Sequence, residues 1–136
     1  NEHKFKQEKK GVRVIATISG LTPNQDHGMH VHEYGDLRTP NGSSAGGHYN
    51  PDNNPHGLPP STQRHAGSFG NITANNDGVA NFEFLDSTIS ISRSKNPILG
   101  RTIVVHASPD TGEQPAGNAG PRVGVGVIGI LNPQVD

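Results

Sequence analysis

The chain has no cysteine and no tryptophan, a single methionine, and only two tyrosines and four phenylalanines in 136 residues. Without cysteine a disulfide framework is excluded, and any metal site must use nitrogen and oxygen donors. With 29% hydrophobic residues the core is lean, so long polar loops are expected. No stretch approaches the roughly 18 consecutive apolar residues of a membrane-crossing helix. An excess of one charge is missing too. Eleven Lys and Arg face twelve Asp and Glu, for a net charge of −1, and no basic block runs along the chain. Nucleic acid is therefore a poor partner, and so is a membrane. The chain opens at Asn1 with neither a signal-peptide pattern nor an initiator methionine, and reads as a mature or excised piece.

What is abundant is glycine (18) and proline (11). That density excludes long helices, and the length fits one domain over residues 1–136. Alternation of apolar and polar residues marks strands at Val12–Ser19, Met29–Tyr34, Val79–Leu85 and Thr88–Ser92. Thr102–His106 is an apolar, central strand, and Val123–Leu131 closes the chain with valine–glycine alternation that implies close backbone approach. Residues 1–10 suit a solvated edge strand. Between roughly Gly35 and Asn71 lies a long irregular region, and Ser108–Pro121 forms a second loop. Loops of this length in a compact domain are usually functional. The sum is an all-β sandwich or barrel with two long loops.

Eight histidines punctuate this frame, and seven of them lie between positions 27 and 106. In Gly28–Asp36, reading GMHVHEYGD, His30 and His32 stand two apart, so on a strand both imidazoles face the same side. His48 and His106 can join them in a four-nitrogen site. His48, His56 and His65, spaced 8 and 9 apart, can make a second site that shares His48. Imidazole suits zinc, copper, nickel and iron, and spacing alone does not assign a metal to either set.

The segments GMHVHEYGD, GGHYNP, PHG, RHAGSFGNITANNDG, GRTIVVHASPD and GNAGPRVGVGVIGI, in this order, resemble the copper,zinc superoxide dismutase family over about residues 12–131. The resemblance implies an eight-stranded Greek-key β-barrel and an oxidoreductase that disproportionates superoxide with copper and zinc. It implies copper ligands at His30, His32, His48 and His106, with His48 bridging to zinc, and zinc ligands at His56 and His65. His27 matches a histidine that ties the copper strand to a neighbouring loop, Asp110 an aspartate that hydrogen-bonds ligands of both metals, and Arg122 an arginine that attracts superoxide beside the copper. His48 and Arg122 are thus the expected catalytic residues.

Four departures from the family pattern stand out. Ser68 occupies the place of the zinc aspartate, and a neutral hydroxyl is a poorer ligand than a carboxylate, so zinc binding is expected to weaken and the chain leans toward copper-only members. Val125 stands at the strand cysteine, with its loop partner expected around Thr39–Asn41. The loop between His106 and Arg122 is short, with only Asp110 and Glu113 as charges. The first barrel strand is missing, which exposes an edge that a second copy or a tandem-repeat neighbour would cover. These departures also admit a non-enzymatic copper-binding module as the alternative to the enzyme. Two glycosylation sequons, at Asn41 and Asn71, favour an extracellular or periplasmic location.

Overall fold

The computed structural model describes residues 1–135. Seven strands form two antiparallel sheets: β1 (Glu2–Glu8), β2 (Gly11–Ile18), β3 (Asp26–His32), β4 (Ser68–Thr73), β5 (Ala80–Asp86), β6 (Thr102–His106) and β7 (Arg122–Val127). One sheet has the order β1-β2-β5 and the other β4-β3-β6-β7. A short 3-10 turn, Ser43–Ala45, is the one helical element among the described residues. Among the described residues no helix is long and apolar enough to cross a membrane.

Alternation places the core. On β2, Val12, Val14, Ala16 and Ile18 are buried while Ile15 and Thr17 face out. They meet Met29 and Val31 of β3, Ile72 of β4, and Ile103 and Val105 of β6 between the sheets. β6 is buried along its whole length because it lies inside its sheet, with Thr102 on its far face bonded to the Tyr34 carbonyl of the first long loop. Nearly continuous apolar runs are expected of such doubly covered strands.

The two seams between the sheets differ. At one, β4 and β5 are joined by a tight hairpin with an Ala74–Ala80 bridge. At the other, β1 pairs only with β2 and β7 only with β6, leaving two free edges around a groove of about 710 Å³. Phe5, Ile18, Ile103 and Val105 line it, with Gly124 and Gly126 adding no side chain. This groove lies where the eighth strand implied by the resemblance has no counterpart among the described residues. Residues 2–8 do not fill it, since their partner is β2.

Local expectations were corrected at four places. Thr88–Ser92 is not a strand: the Asp86 carboxylate accepts from the Thr88 amide and hydroxyl, turning the chain, and Ile89 packs into the main core cluster. Strand β4 begins inside the region read as irregular, where Gly67, Gly70 and polar neighbours disguise a short apolar run. β3 starts earlier than expected, at Asp26, and ends at His32. β7 stops at Val127 rather than continuing to Leu131.

Candidate metal centre

β3 supplies His30 and His32 on one face, and its neighbour β6 ends in His106. The first long loop returns to β3 through an isolated bridge between His32 and His48. These four rings each offer a nitrogen within 4.8 Å of the others, and three of them are buried. His48 is half-buried, stacked at 3.9 Å between ring centroids on His30. Its own bridging position leaves it the most solvent-reached member of the set.

Hydrogen bonds fix which nitrogen each ring can give to a metal. Nδ1 of His32 donates to the Gly46 carbonyl at 2.8 Å, and Nδ1 of His106 donates to the Gly120 carbonyl at 2.9 Å. Nε2 of His30 donates to Asp110 at 2.7 Å. Each opposite nitrogen therefore carries a lone pair. Those atoms, His30 Nδ1, His32 Nε2 and His106 Nε2, are buried with no hydrogen-bond partner. Orphaned buried acceptors are costly, and a cation is what three converging imidazole lone pairs suit. Burial also keeps the rings neutral and ready to ligate. It lowers the pKa of His32 to about 3 and that of His106 to about 4, and pushes His30 and His48 down as well.

A second set adjoins the first. His48, His56 and His65 bring one nitrogen each within 4.8 Å, and Nδ1 of His48 lies 3.2 Å from Nδ1 of His65. Ser68, fully buried, places its hydroxyl 3.4 Å from Nδ1 of His56. The residue expected at the missing carboxylate thus does face this set, with a neutral oxygen. Asp110 joins the two sets: one carboxylate oxygen accepts from His30 and the other from Nε2 of His56, at 2.8 Å. Burial would raise its pKa, but the hydrogen bonds from His30 and His56 prevail and hold it at about 2.

Several positions that sequence reading missed hold this carboxylate. Asn71 grips the Asp110 backbone twice: its amide donates to the Asp110 carbonyl and its carbonyl accepts from the Asp110 amide. Gln114 grips the His56 backbone in the same two-way fashion. Gly117 adopts φ 82°, and a Cβ there would fall 1.9 Å from the Asp110 carboxylate, so only glycine fits. His27 is buried and donates from Nδ1 to the His106 carbonyl, with Thr22 O 3.4 Å from its other nitrogen.

Arg122 sits directly across the ladder from His106. Its guanidinium donates to the carbonyls of Gly42 and Gly46, both at 2.6 Å, so it is pinned by backbone rather than by a carboxylate. Burial lowers its pKa, and its charge in turn lowers the pKa of His30, His32 and His106. A fixed, uncompensated cation thus stands beside the four-histidine set. Gly42, which adjoins Thr39–Asn41, approaches Val125: a Cβ on Gly42 would lie 3.2 Å from Val125 Cγ1.

The family described as copper/zinc superoxide dismutase (SODC) matches residues 2–128. The chain belongs to this family. It is 46% identical over 133 residues to a superoxide dismutase (Cu-Zn) of Paramecium bursaria Chlorella virus 1, an alignment covering 93% of this chain and 70% of the relative. It is 47% identical over 135 residues to superoxide dismutase (Cu-Zn) 2 of Brassica juncea, covering 93% of this chain and 86% of the relative. The protein is a superoxide dismutase with copper and zinc as its cofactors and superoxide as its substrate. Two superoxide anions and two protons give one dioxygen and one hydrogen peroxide. The oxidoreductase chemistry expected from the motifs therefore stands, in preference to the non-enzymatic module.

Proposed function

We propose that His30, His32, His48 and His106 hold the catalytic copper of this dismutase, and that His48, His56 and His65 hold zinc with Ser68 beside them. The observation that carries the assignment is the trio of orphaned nitrogens on His30, His32 and His106, aimed together next to the Arg122 cation. Copper supplies the one-electron couple that zinc lacks. The protein's own residues do the rest. Arg122 draws in and orients a small anion, and its two backbone hydrogen bonds keep the charge in place before substrate arrives. His48, with Nδ1 turned to His65, keeps its other nitrogen for the copper set and can carry a proton there to the departing peroxide. Asp110 orients His30 and His56 and favours their metal-ready tautomers.

The test is metal content and superoxide consumption of protein reconstituted with copper and zinc. Arg122→Ala should lower the rate at least about tenfold while copper affinity holds, since removing one steering cation costs rate rather than ligation. His48→Ala should weaken both metals, and His65→Ala zinc alone. Equal loss of rate and copper affinity in Arg122→Ala would make that residue structural and overturn its role.

Two further readings accompany this one. The exposed valines 123, 125 and 127 of β7, with Ile130 and Leu131, form an apolar strip along a free sheet edge. Such edges invite pairing, which supports a second copy of the domain, as homodimer or tandem neighbour, on this side. Sedimentation equilibrium should show a dimer that Val127→Lys dissociates; a monomer at all concentrations would remove this reading. An extracellular or periplasmic location is supported by the exposed sequon at Asn41. Asn71 does not add support, because its carboxamide is committed to Asp110. Cell fractionation that leaves the protein in the cytoplasm would refute it.

A further inference from the structure

Lysine and arginine are scattered along the sequence, yet the fold gathers four of them. Lys9 and Lys10 form the β1–β2 turn, and Arg93 and Lys95 lie more than eighty positions later in the chain, in the loop after β5. All four line one hollow of about 260 Å³, together with Ser87 and Ser94. Among the described residues, none of these four cations is within ion-pair distance of a carboxylate, whereas Arg13, Arg38 and Arg64 are all paired. Acids close by in the sequence or joined to this loop are already engaged: Glu8 with Arg13, Asp86 with Arg64, and Asp52 with the Asn96 amide.

The hollow is braced as well as charged. Gln7 clamps its two walls: its amide donates to the Gly11 carbonyl, and its carbonyl accepts from the Ile91 amide. Ser90, almost fully buried, closes the second wall by accepting from the Arg93 amide and donating to the Arg93 carbonyl. The side chains at its mouth offer ammonium, guanidinium and hydroxyl groups, which are donors above all. Such a set recognises a multiply charged acceptor group, with arginine forking onto two oxygens and lysine adding point charge. A hollow of about 260 Å³ is on the scale of a small anion rather than of a polymer. None of these residues contributes to the metal centre, and monovalent superoxide has no use for four cations.

We propose that this hollow is a binding site for a small phosphate-bearing anion of the diphosphate class. Inorganic diphosphate is the probe, titrated by calorimetry into the copper- and zinc-loaded protein, with metal content checked before and after. One diphosphate per chain is expected, with binding that weakens as salt rises. Lys9→Gln/Lys10→Gln and Arg93→Gln/Lys95→Gln should each weaken it at least about tenfold, the loss expected when charge-assisted hydrogen bonds are removed. Lys4→Gln, on β1 but outside the hollow, should change it less than about twofold. Dismutation should be unaffected in both double variants. Unchanged affinity in the double variants, equal weakening by Lys4→Gln, or heat that tracks loss of copper would overturn the site. So would binding to phosphatidylserine-containing vesicles with none to free diphosphate, which would make the patch a membrane contact.

Discussion

The two halves of the metal centre are built to different standards. On the copper side three of the four rings are aimed by a hydrogen bond from the far nitrogen, His32 to Gly46, His106 to Gly120 and His30 to Asp110, while His48 comes from the loop. All three sit on strand residues of one sheet. On the zinc side all three rings come from a loop. Only His56 is aimed by a carboxylate, and the remaining corner is filled by the neutral Ser68. The first half is a preorganised site that a metal enters. The second depends more on the metal to complete it. Orientation by second partners is worth 10- to 100-fold in metal affinity in general, so the contrast is large enough to measure.

The largest effect is expected from Asp110→Asn, because one side chain serves both halves. An amide has a single carbonyl oxygen and cannot accept from both His30 and His56. Chelator competition should show both metals weakened, by about 10- to 100-fold for the side that loses its acceptor. Loss confined to copper would break the comparison. Next, Ser68→Asp should restore an anionic ligand and tighten zinc by about tenfold or more, with copper affinity unchanged, since a carboxylate outbinds a hydroxyl. Unimproved zinc binding would mean that Ser68 is not the weak corner.

A smaller effect appears in the metal-free protein as pH falls. Burial depresses His32 to about 3 and His106 to about 4, while the unfolded chain takes up these protons near pH 6.5. The unfolded state therefore binds more protons below that pH. Stability is fully present above about 6.5 and drains away as pH falls toward 4, with a slope steeper than the ~1.4 kcal/mol per pH unit of one group. Urea melts across this range should show it, and His32→Gln should flatten the slope. A flat profile between pH 7 and pH 5 would show that the copper-side rings are not held neutral by the fold.

The histidine constellation was legible from the sequence because its signals are local. Alternation puts His30 and His32 on one face, and imidazole has few other reasons to recur beside glycine. The family motifs then carried Asp110 and Arg122 to their places. What aims the rings was not legible. The acceptors at Gly46 and Gly120 are main-chain carbonyls, which any residue possesses, and they become specific only when the loops have folded. Asn71 and Gln114 act across 39 and 58 positions, through contacts no short pattern encodes. The strand errors have the same origin. β4 is short and interrupted by Gly70, and its pairing with β3 decides its state more than its composition does. Thr88–Ser92 alternates like a strand, but the Asp86 carboxylate captures the Thr88 amide that a ladder would have used.

His48 belongs to both metal sets and Asp110 hydrogen-bonds one member of each, and sharing of that kind imposes reciprocity. Whatever factor bound zinc adds to the retention of copper, bound copper must add to the retention of zinc, because the two paths to the doubly loaded protein end at one state. A change at Ser68 that alters zinc binding is therefore expected to alter copper retention by the same coupling, without touching the copper set. Copper retention measured with and without zinc reads that coupling directly.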